Sequence, residues 1–363
     1  MTSWTIGRVV QRPSRPASFP LATLGIAVAL LAGCVSNGDD GAGDEAVPAP
    51  PDPAILAFYQ PLLSARAVTF ETDHGTIRFL LYDPFMPMTT ARIGELVETD
   101  FYDGTIVHRV VDDFVIQGGD PSRTGSLGSG ETIAFESHPD LLFLSGAVGL
   151  ARDTDPDSGD SQWFITEKPA LHLSDPESDT AAVFGTYALF GQVFEGMEVV
   201  RAIATVQTLP GLDRPIVDVV LQDAEIGPLP PGVDLLALPR SDGNLTTQPA
   251  DWILERPLHL FALHPFTLRV FVDPASGAAP VSALATFTEL DPRGSTREHV
   301  NVTLLPRADD AFVLEAGAVL PHGGRWESRM DAAGDAGYEV VDVVAWHDAY
   351  ARFAGGGGAS VGP

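Results

Sequence analysis

The 363-residue chain has a single cysteine, Cys34. It can form no intrachain disulfide and offers no paired thiols for a redox motif or a cysteine-rich metal site. Positive charge is also scarce: 21 Lys and Arg stand against 49 Asp and Glu, for a formal net charge of −28. Phosphate groups are held by clustered Lys and Arg, so the acid excess disfavours nucleic acid and anionic lipid headgroups as partners and reads most simply as a solubility device. There is no Ser–His–Asp spacing of a recognised kind and no thiol nucleophile. Gly125–Gly130 is glycine-rich but lacks the following Lys-Ser/Thr of a nucleotide loop. His259, His264, His299, His322 and His347 are scattered without ligand spacing, so no metal and no cofactor is expected. Thirty Pro and 36 Gly disfavour long helices and point to short elements joined by turns.

The N-terminus carries an apolar run from Phe19 to Ala32, preceded by Arg8, Arg12 and Arg15. It is too short for a comfortable membrane span and ends in small residues, as a secretory signal does. Its last residues, Leu31-Ala32-Gly33-Cys34, resemble the bacterial lipobox, which implies cleavage before Cys34 and lipidation of that cysteine. Residues 1–33 are then a signal peptide, and the protein is expected to be exported and lipid-anchored to the cell envelope. Val35 stands where an Asp would signal inner-membrane retention, which favours the periplasmic face of the outer membrane. Residues 34–64 read as tether and lead-in: 35–53 have almost no large apolar side chains and form a flexible tether, and 54–64 are expected to pack as a short lead-in segment.

Strand-like alternation begins near Ala67. Val68–Thr72 and Thr76–Tyr82 flank an Asp73-His74-Gly75 turn. Further short strands are predicted at Ile106–Val111, Phe114–Gln117, Val148–Ala151, Trp163–Thr166, Ala188–Val193 and Val217–Ile226. Helices are predicted at Met88–Val97, with Thr89 or Thr90 as N-cap, and at Met197–Ile203. The pattern is mainly β, and it suggests a closed eight-stranded antiparallel barrel capped by two helices over residues 65–228. Gly227–Gly232 reads as a linker. Residues 229–354 show strands without convincing helices, which predicts a β-sandwich of unknown role, followed by a flexible tail at 355–363.

The chemistry concentrates between Phe101 and Tyr187, where a strand bearing Arg109 stands among several amides and many aromatics. Phe101–Gly104 (Phe-Tyr-Asp-Gly), His108–Val110 (His-Arg-Val), Phe114–Asp120 (Phe-Val-Ile-Gln-Gly-Gly-Asp), Leu150–Arg152, Ser161–Ile165 (Ser-Gln-Trp-Phe-Ile) and Phe190–Met197 follow one another in order. In this order they resemble the cyclophilin family, over about residues 67–227. The resemblance implies a cyclophilin-like barrel and peptidyl-prolyl cis-trans isomerase activity, with proline-containing segments of exported proteins as substrates.

It also implies roles for single residues. Arg109 matches the catalytic arginine, and Gln117 and Gln162 match the amides that orient it and the substrate backbone. Phe114, Val115, Phe164 and Leu173 match the proline pocket; Ala151 and Arg152 match the strand bordering the peptide groove, with Gly128 in a nearby loop. His108 is expected to be structural. The chain departs from the family at Val115, often Met; at His172, where cyclosporin-sensitive members carry Trp; and at Tyr187, often His. An acidic loop, Ser174–Thr180, lies between the last two. The alternative is a non-catalytic proline-peptide-binding or scaffold lipoprotein, with the C-terminal domain docking an envelope protein.

Overall fold

The computed structural model describes residues 53–138, 141–174, 179–180, 183–184, 186–240, 252–257, 260–261, 264–290, 296–321, 324–332 and 335–344. Cys34, the expected signal peptide and tether up to residue 52, residues 175–178 of the acidic loop, His259, His322, His347 and the expected tail at 355–363 lie outside them.

The first half is a β-barrel. Strand β1 (Arg66–Thr72) turns through Asp73-His74 into β2 (Gly75–Leu81), pairing Val68 with Phe79 and Phe70 with Ile77. Period-two alternation sends these four side chains inward, where all are buried. Then come β3 (Ile106–Val107), β4 (Arg109–Val111), β5 (Val115–Gly118), β6 (Ala147–Leu150), β7 (Trp163–Thr166), β8 (Ala188–Glu195) and β9 (Val219–Pro228). Their order in the sheet is β3-β9-β1-β2-β8-β6-β7-β5-β4, every pair antiparallel. The nine strands are eight with one interruption. β3 and β4 form a single run broken at His108, whose N–H donates to the Gln117 carbonyl at 3.0 Å, and this run brings the two ends of the sheet together. Inside, Phe70 meets Phe79 and Trp163, each with ring centroids 5.1 Å apart. Burying one such aromatic is worth about 1.5–3 kcal/mol.

Three helices accompany the barrel, where two were expected: α1 (Pro53–Leu62), α2 (Pro87–Glu98) and α3 (Met197–Ala204). In α1, Tyr59 and Leu62 are buried in the barrel's own apolar cluster, so the lead-in segment is a docked helix. α2 begins at Pro87, and its N-cap is Met86 rather than Thr89 or Thr90. Both threonines lie inside the helix; the first-turn N–H groups of Met88 and Thr89 donate instead to the Glu136 carboxylate, at 2.9 and 2.7 Å. An acid at this position also complements the helix dipole.

The expected domain boundary at residue 228 falls short of where the barrel's packing ends. Leu235, Leu236 and Leu238 belong to the barrel cluster, joined by Leu229 and Val233 at its edge. Beyond them the described residues form nine further strands: β10 (Pro239–Arg240), β11 (Trp252–Pro257), β12 (Leu260–Phe261), β13 (Phe266–Val272), β14 (Ala283–Leu290), β15 (Thr296–Pro306), β16 (Val313–Ala318), β17 (Gly324–Ala332) and β18 (Asp335–Val344). The expected two-layer packing takes the form of one continuous ladder, β10-β11-β13-β16-β15-β14-β17-β18-β12. The long β15 serves both parts of it, pairing with β14 over most of its length and with β16 at Leu305 and Pro306. The core beneath holds Leu268, Val270, Phe287, Leu304 and Trp326. Among the described residues, no helix is long and apolar enough to cross a membrane.

Candidate active site

Register builds the site. Arg109 on β4 pairs with Gln117 on β5, and Gln117 with Phe164 on β7. Side chains directly opposite one another in a sheet share a face, so these three stand in one row on the outside of the barrel, and Val111, Val115 and Thr166 extend the same face. The intervening Val110, Ile116, Trp163 and Ile165 point into the core and are buried.

Arg109 is half-buried. Its Nη1 donates to Gln117 Oε1 at 3.3 Å, and its Nε lies 3.7 Å from Asp213 Oδ2. Gln117 Nε2 donates to Gln162 Oε1 at 3.0 Å. Gln162 Nε2 in turn donates to the carbonyls of Leu127 at 2.8 Å and Gly125 at 3.2 Å. The amides therefore run head to tail, and the last oxygen in line faces the guanidinium.

The relay ends on a loop that is itself held by a buried acid. Asp120 accepts from the backbone N–H groups of Ser122, Thr124, Gly125, Ser126 and Leu127 and from the Ser122 and Thr124 hydroxyls. Burial alone would push its pKa up, but the hydrogen bonds from Ser122, Leu127 and Gly125 outweigh it and hold the carboxyl down at about 2. Asp120 is thus an ionised anchor and not a proton donor. His108 sits under the same loop, where a Cβ on Gly125 would come 2.9 Å from its ring. Burial lowers the His108 pKa, which favours the neutral ring at pH 7. Gly128 packs against the Asp160 carboxylate, which also accepts from the N–H groups of Ser129 and Gly130.

The apolar wall forms in two stacks. Phe114 lies parallel to His172, ring centroids 5.5 Å apart. Phe164 stacks on Phe143 at 5.3 Å and meets Tyr187 edge-on at 5.8 Å. Gly149, opposite Phe164 on β6, leaves room for the second stack, since a Cβ there would overlap both rings. Val115, Phe164 and Leu173 are buried. The Tyr187 N–H donates to the Leu173 carbonyl at 3.0 Å, and the Ala151 N–H to that of Gln162 at 2.8 Å. Arg152 lies 4.6 Å over the Tyr187 ring and donates to the Thr186 carbonyl, so it buttresses this wall.

One carboxylate group stands just outside the row. Asp112, Asp113 and Glu167 bring ligand atoms within 4.8 Å of one another. Asp113 is engaged by Lys168 Nζ at 2.5 Å, and Glu167 Oε2 accepts the Asp113 N–H at 2.9 Å. The group acts as a brace for the β4–β5 turn. A cavity of about 340 Å³ lies elsewhere, between the Asp234–Ala237 stretch and the C-terminal sheet, lined in part by Asp234, Glu255, Arg256, Phe266 and Arg269.

This set of residues coincides with a known family. The model for "Cyclophilin type peptidyl-prolyl cis-trans isomerase/CLD" matches residues 67–226. "Peptidyl-prolyl cis-trans isomerase-like 1" of Mus musculus is 35% identical over 160 residues, which are 43% of this chain and 90% of the mouse protein. The chain belongs to the cyclophilin-type peptidyl-prolyl cis-trans isomerases. A bacterial cyclophilin, "Peptidyl-prolyl cis-trans isomerase B" of Streptomyces anulatus, is 34% identical over 175 residues, 44% of this chain and 94% of the other. A crystal structure of a Cryptosporidium parvum cyclophilin covers 46% of this chain and 99% of its own, at 25% identity and a TM-score of 0.41. The cyclophilin match stops before the C-terminal sheet.

The structure brings Arg109, Gln117, Gln162 and Phe164 together, and places Phe114, Val115, His172, Leu173, Ala151, Arg152 and Tyr187 around them. Sequence reading gave no role to Asp120, Phe143 or Asp213. Asp120 was within reach, because it ends the Gln-Gly-Gly-Asp run and precedes a loop rich in N–H donors. Phe143 and Asp213 carry no local signal, since each meets its partner only through the closed barrel.

Proposed function

We propose that Arg109 catalyses rotation about X-Pro bonds by donating to the prolyl nitrogen as the amide twists. The barrier to be lowered is ~18–20 kcal/mol and comes from amide resonance. When the bond twists, the nitrogen lone pair is no longer shared with the carbonyl and becomes an acceptor. A donor aimed at it stabilises the twisted amide over both planar forms, which is differential binding of the transition state. A guanidinium has five N–H donors. Only part of that set is engaged by Gln117 and Asp213. The observation that carries the reading is the Arg109–Gln117–Gln162 relay standing in the same sheet row as Phe164, so that donor and proline pocket share one face. The aromatic wall would grip the ring and exclude water from the amide.

The substrates we propose are exported proteins, met at the cell envelope by an enzyme lipidated at Cys34. Two experiments test this. The full chain is expected to accelerate refolding of a protein whose slow phase is a prolyl isomerisation; an unchanged slow phase would overturn the activity. Radiolabelled palmitate is expected to enter the wild type but not Cys34→Ser in a bacterial host; no label in either would overturn the anchor.

A further inference from the structure

The chain contains one lysine, Lys168. It stands two residues past the end of β7 and bridges the two halves, with Nζ 2.5 Å from Asp113 Oδ1 and 2.7 Å from Asp310 Oδ2. Its side chain is mostly buried, and the flanking acids raise its pKa against the opposing effect of burial, so the ammonium is charged. Asp113 sits with φ at 63° in the turn between β4 and β5, one residue before Phe114. That turn is tied to the end of β7 three times: Asp113 N–H to Glu167 Oε2 at 2.9 Å, Glu167 N–H to the Phe114 carbonyl at 2.9 Å, and Lys168 to Asp113. Asp310 fixes the far end, because its other oxygen accepts the Phe312 N–H at 2.8 Å.

A second tie reaches the other stack. Glu255 on β11 is 2% exposed and accepts from Ser145 Oγ at 2.8 and 3.0 Å and from Ser145 N–H at 3.2 Å. Arg269 holds the same carboxylate from within the C-terminal sheet, at 3.0 Å. Ser145 is two residues from Phe143, the ring that backs Phe164, and two from the start of β6. Each stack of the proline pocket is therefore a residue or two from a charged contact with the C-terminal half.

We propose that the C-terminal β domain is a positioning element of the isomerase, in which Asp310 acting through Lys168 and Glu255 acting through Ser145 hold the loops that carry Phe114 and Phe143. This rests on the proline-pocket reading above. The four are positioning residues: they touch the pocket walls' backbone neighbours and not the substrate. Loosened walls bind planar and twisted prolines equally less well, so the effect falls on KM and spares kcat.

The test uses the full chain and a proline tetrapeptide in a protease-coupled assay. Asp310→Asn is expected to raise KM about three- to tenfold with kcat within about twofold, and Asp310→Glu to recover most of it. In a Lys168→Met background, Asp310→Asn is expected to add less than about 1.5-fold, since residues in one network are non-additive. Asp309→Asn, which removes a carboxylate that faces Arg307 and Arg201 but does not touch Lys168, serves as the neighbouring control with unchanged KM. Ser145→Ala is expected to raise KM independently of Asp310. The proposal is overturned if the folded Asp310→Asn and Ser145→Ala proteins keep the wild-type KM, or if Ser145→Ala alone does so should Asp310→Asn not fold. Inactive wild type would instead contradict the isomerase reading.

Discussion

Asp120 in the barrel and Glu255 in the C-terminal half are both almost wholly buried carboxylates, and they are held in different ways. Asp120 takes its donors from Ser122 to Leu127, none more than seven residues ahead of it. Glu255 takes one set from Arg269 on its own sheet and another from Ser145, 110 residues earlier in the barrel. The first carboxylate makes a loop rigid from inside, so that Gln162 finds fixed carbonyls and Arg109 a fixed partner. The second makes a junction. A buried charge costs several kcal/mol unless its hydrogen bonds are complete, so each site enforces the geometry of whatever supplies its donors. In the barrel that geometry fixes the loop on which the Arg109–Gln117–Gln162 relay ends; at the junction it ties the two halves together.

The comparison can be broken at several points. The largest expected effect is Trp326→Ala, which empties the centre of the C-terminal core and is expected to cost ~3–5 kcal/mol in urea unfolding. If the two halves divide labour as described, kcat of the still-folded protein stays within about twofold; a parallel collapse of kcat would show that the division is wrong. Next, Asp120→Ala orphans several N–H donors and is expected to lose ~2–3 kcal/mol and also lower kcat, because the loop behind Gln162 slackens. The sign of the pH effect follows from its depressed pKa: its contribution is present above the ordinary value of 3.8 and is lost as pH falls through about 2. Acid titration of stability, wild type against Asp120→Asn, checks this.

Glu167 behaves oppositely. Burial raises its pKa from 4.5 to about 7, against the Asp113 N–H and Lys168, with Asp112 and Asp113 adding to the rise. The native state therefore binds the extra proton, and the associated stability is full below 4.5 and lost as pH rises through about 7. Glu167→Gln is expected to flatten that slope, worth ~1–3 kcal/mol, in thermal melts across this range. An unchanged slope would mean that the acid is not held as described. The smallest expected effect is Gln162→Ala, about a fivefold loss in kcat or ~1 kcal/mol, measured by the peptide assay. A loss as large as that from removing Arg109 would make Gln162 more than an orienting group.

What the sequence revealed tracks these distances. Arg109, Gln117 and Phe164 were legible because each sits in a run whose residues stay neighbours in the fold, and strand pairing then sets the runs side by side. The barrel strands were legible from alternation, and the one miscount came from His108, which breaks a run without altering its apolar texture. The cap on α2 was missed because Glu136 reaches the Met88 N–H from 48 residues away. The junction was invisible for the same reason: nothing near Ser145 or Lys168 signals Glu255 or Asp310. The C-terminal sheet announced its strands but not how they would close into one ladder, since β15 pairs with two partners and only packing decides where it changes from one to the other.

The central claim is that Arg109 stabilises the twisted amide rather than merely binding proline. NMR exchange spectroscopy on a cis/trans X-Pro peptide, with wild type and Arg109→Ala, separates the two by reading affinity and exchange rate together. Arg109→Ala is expected to bind the peptide within about fivefold of wild type while catalysed exchange falls ~10²–10³-fold, the size of effect seen when one donor to a developing charge is removed. Exchange as fast as in wild type, or a loss that appears entirely as weaker binding, would contradict it.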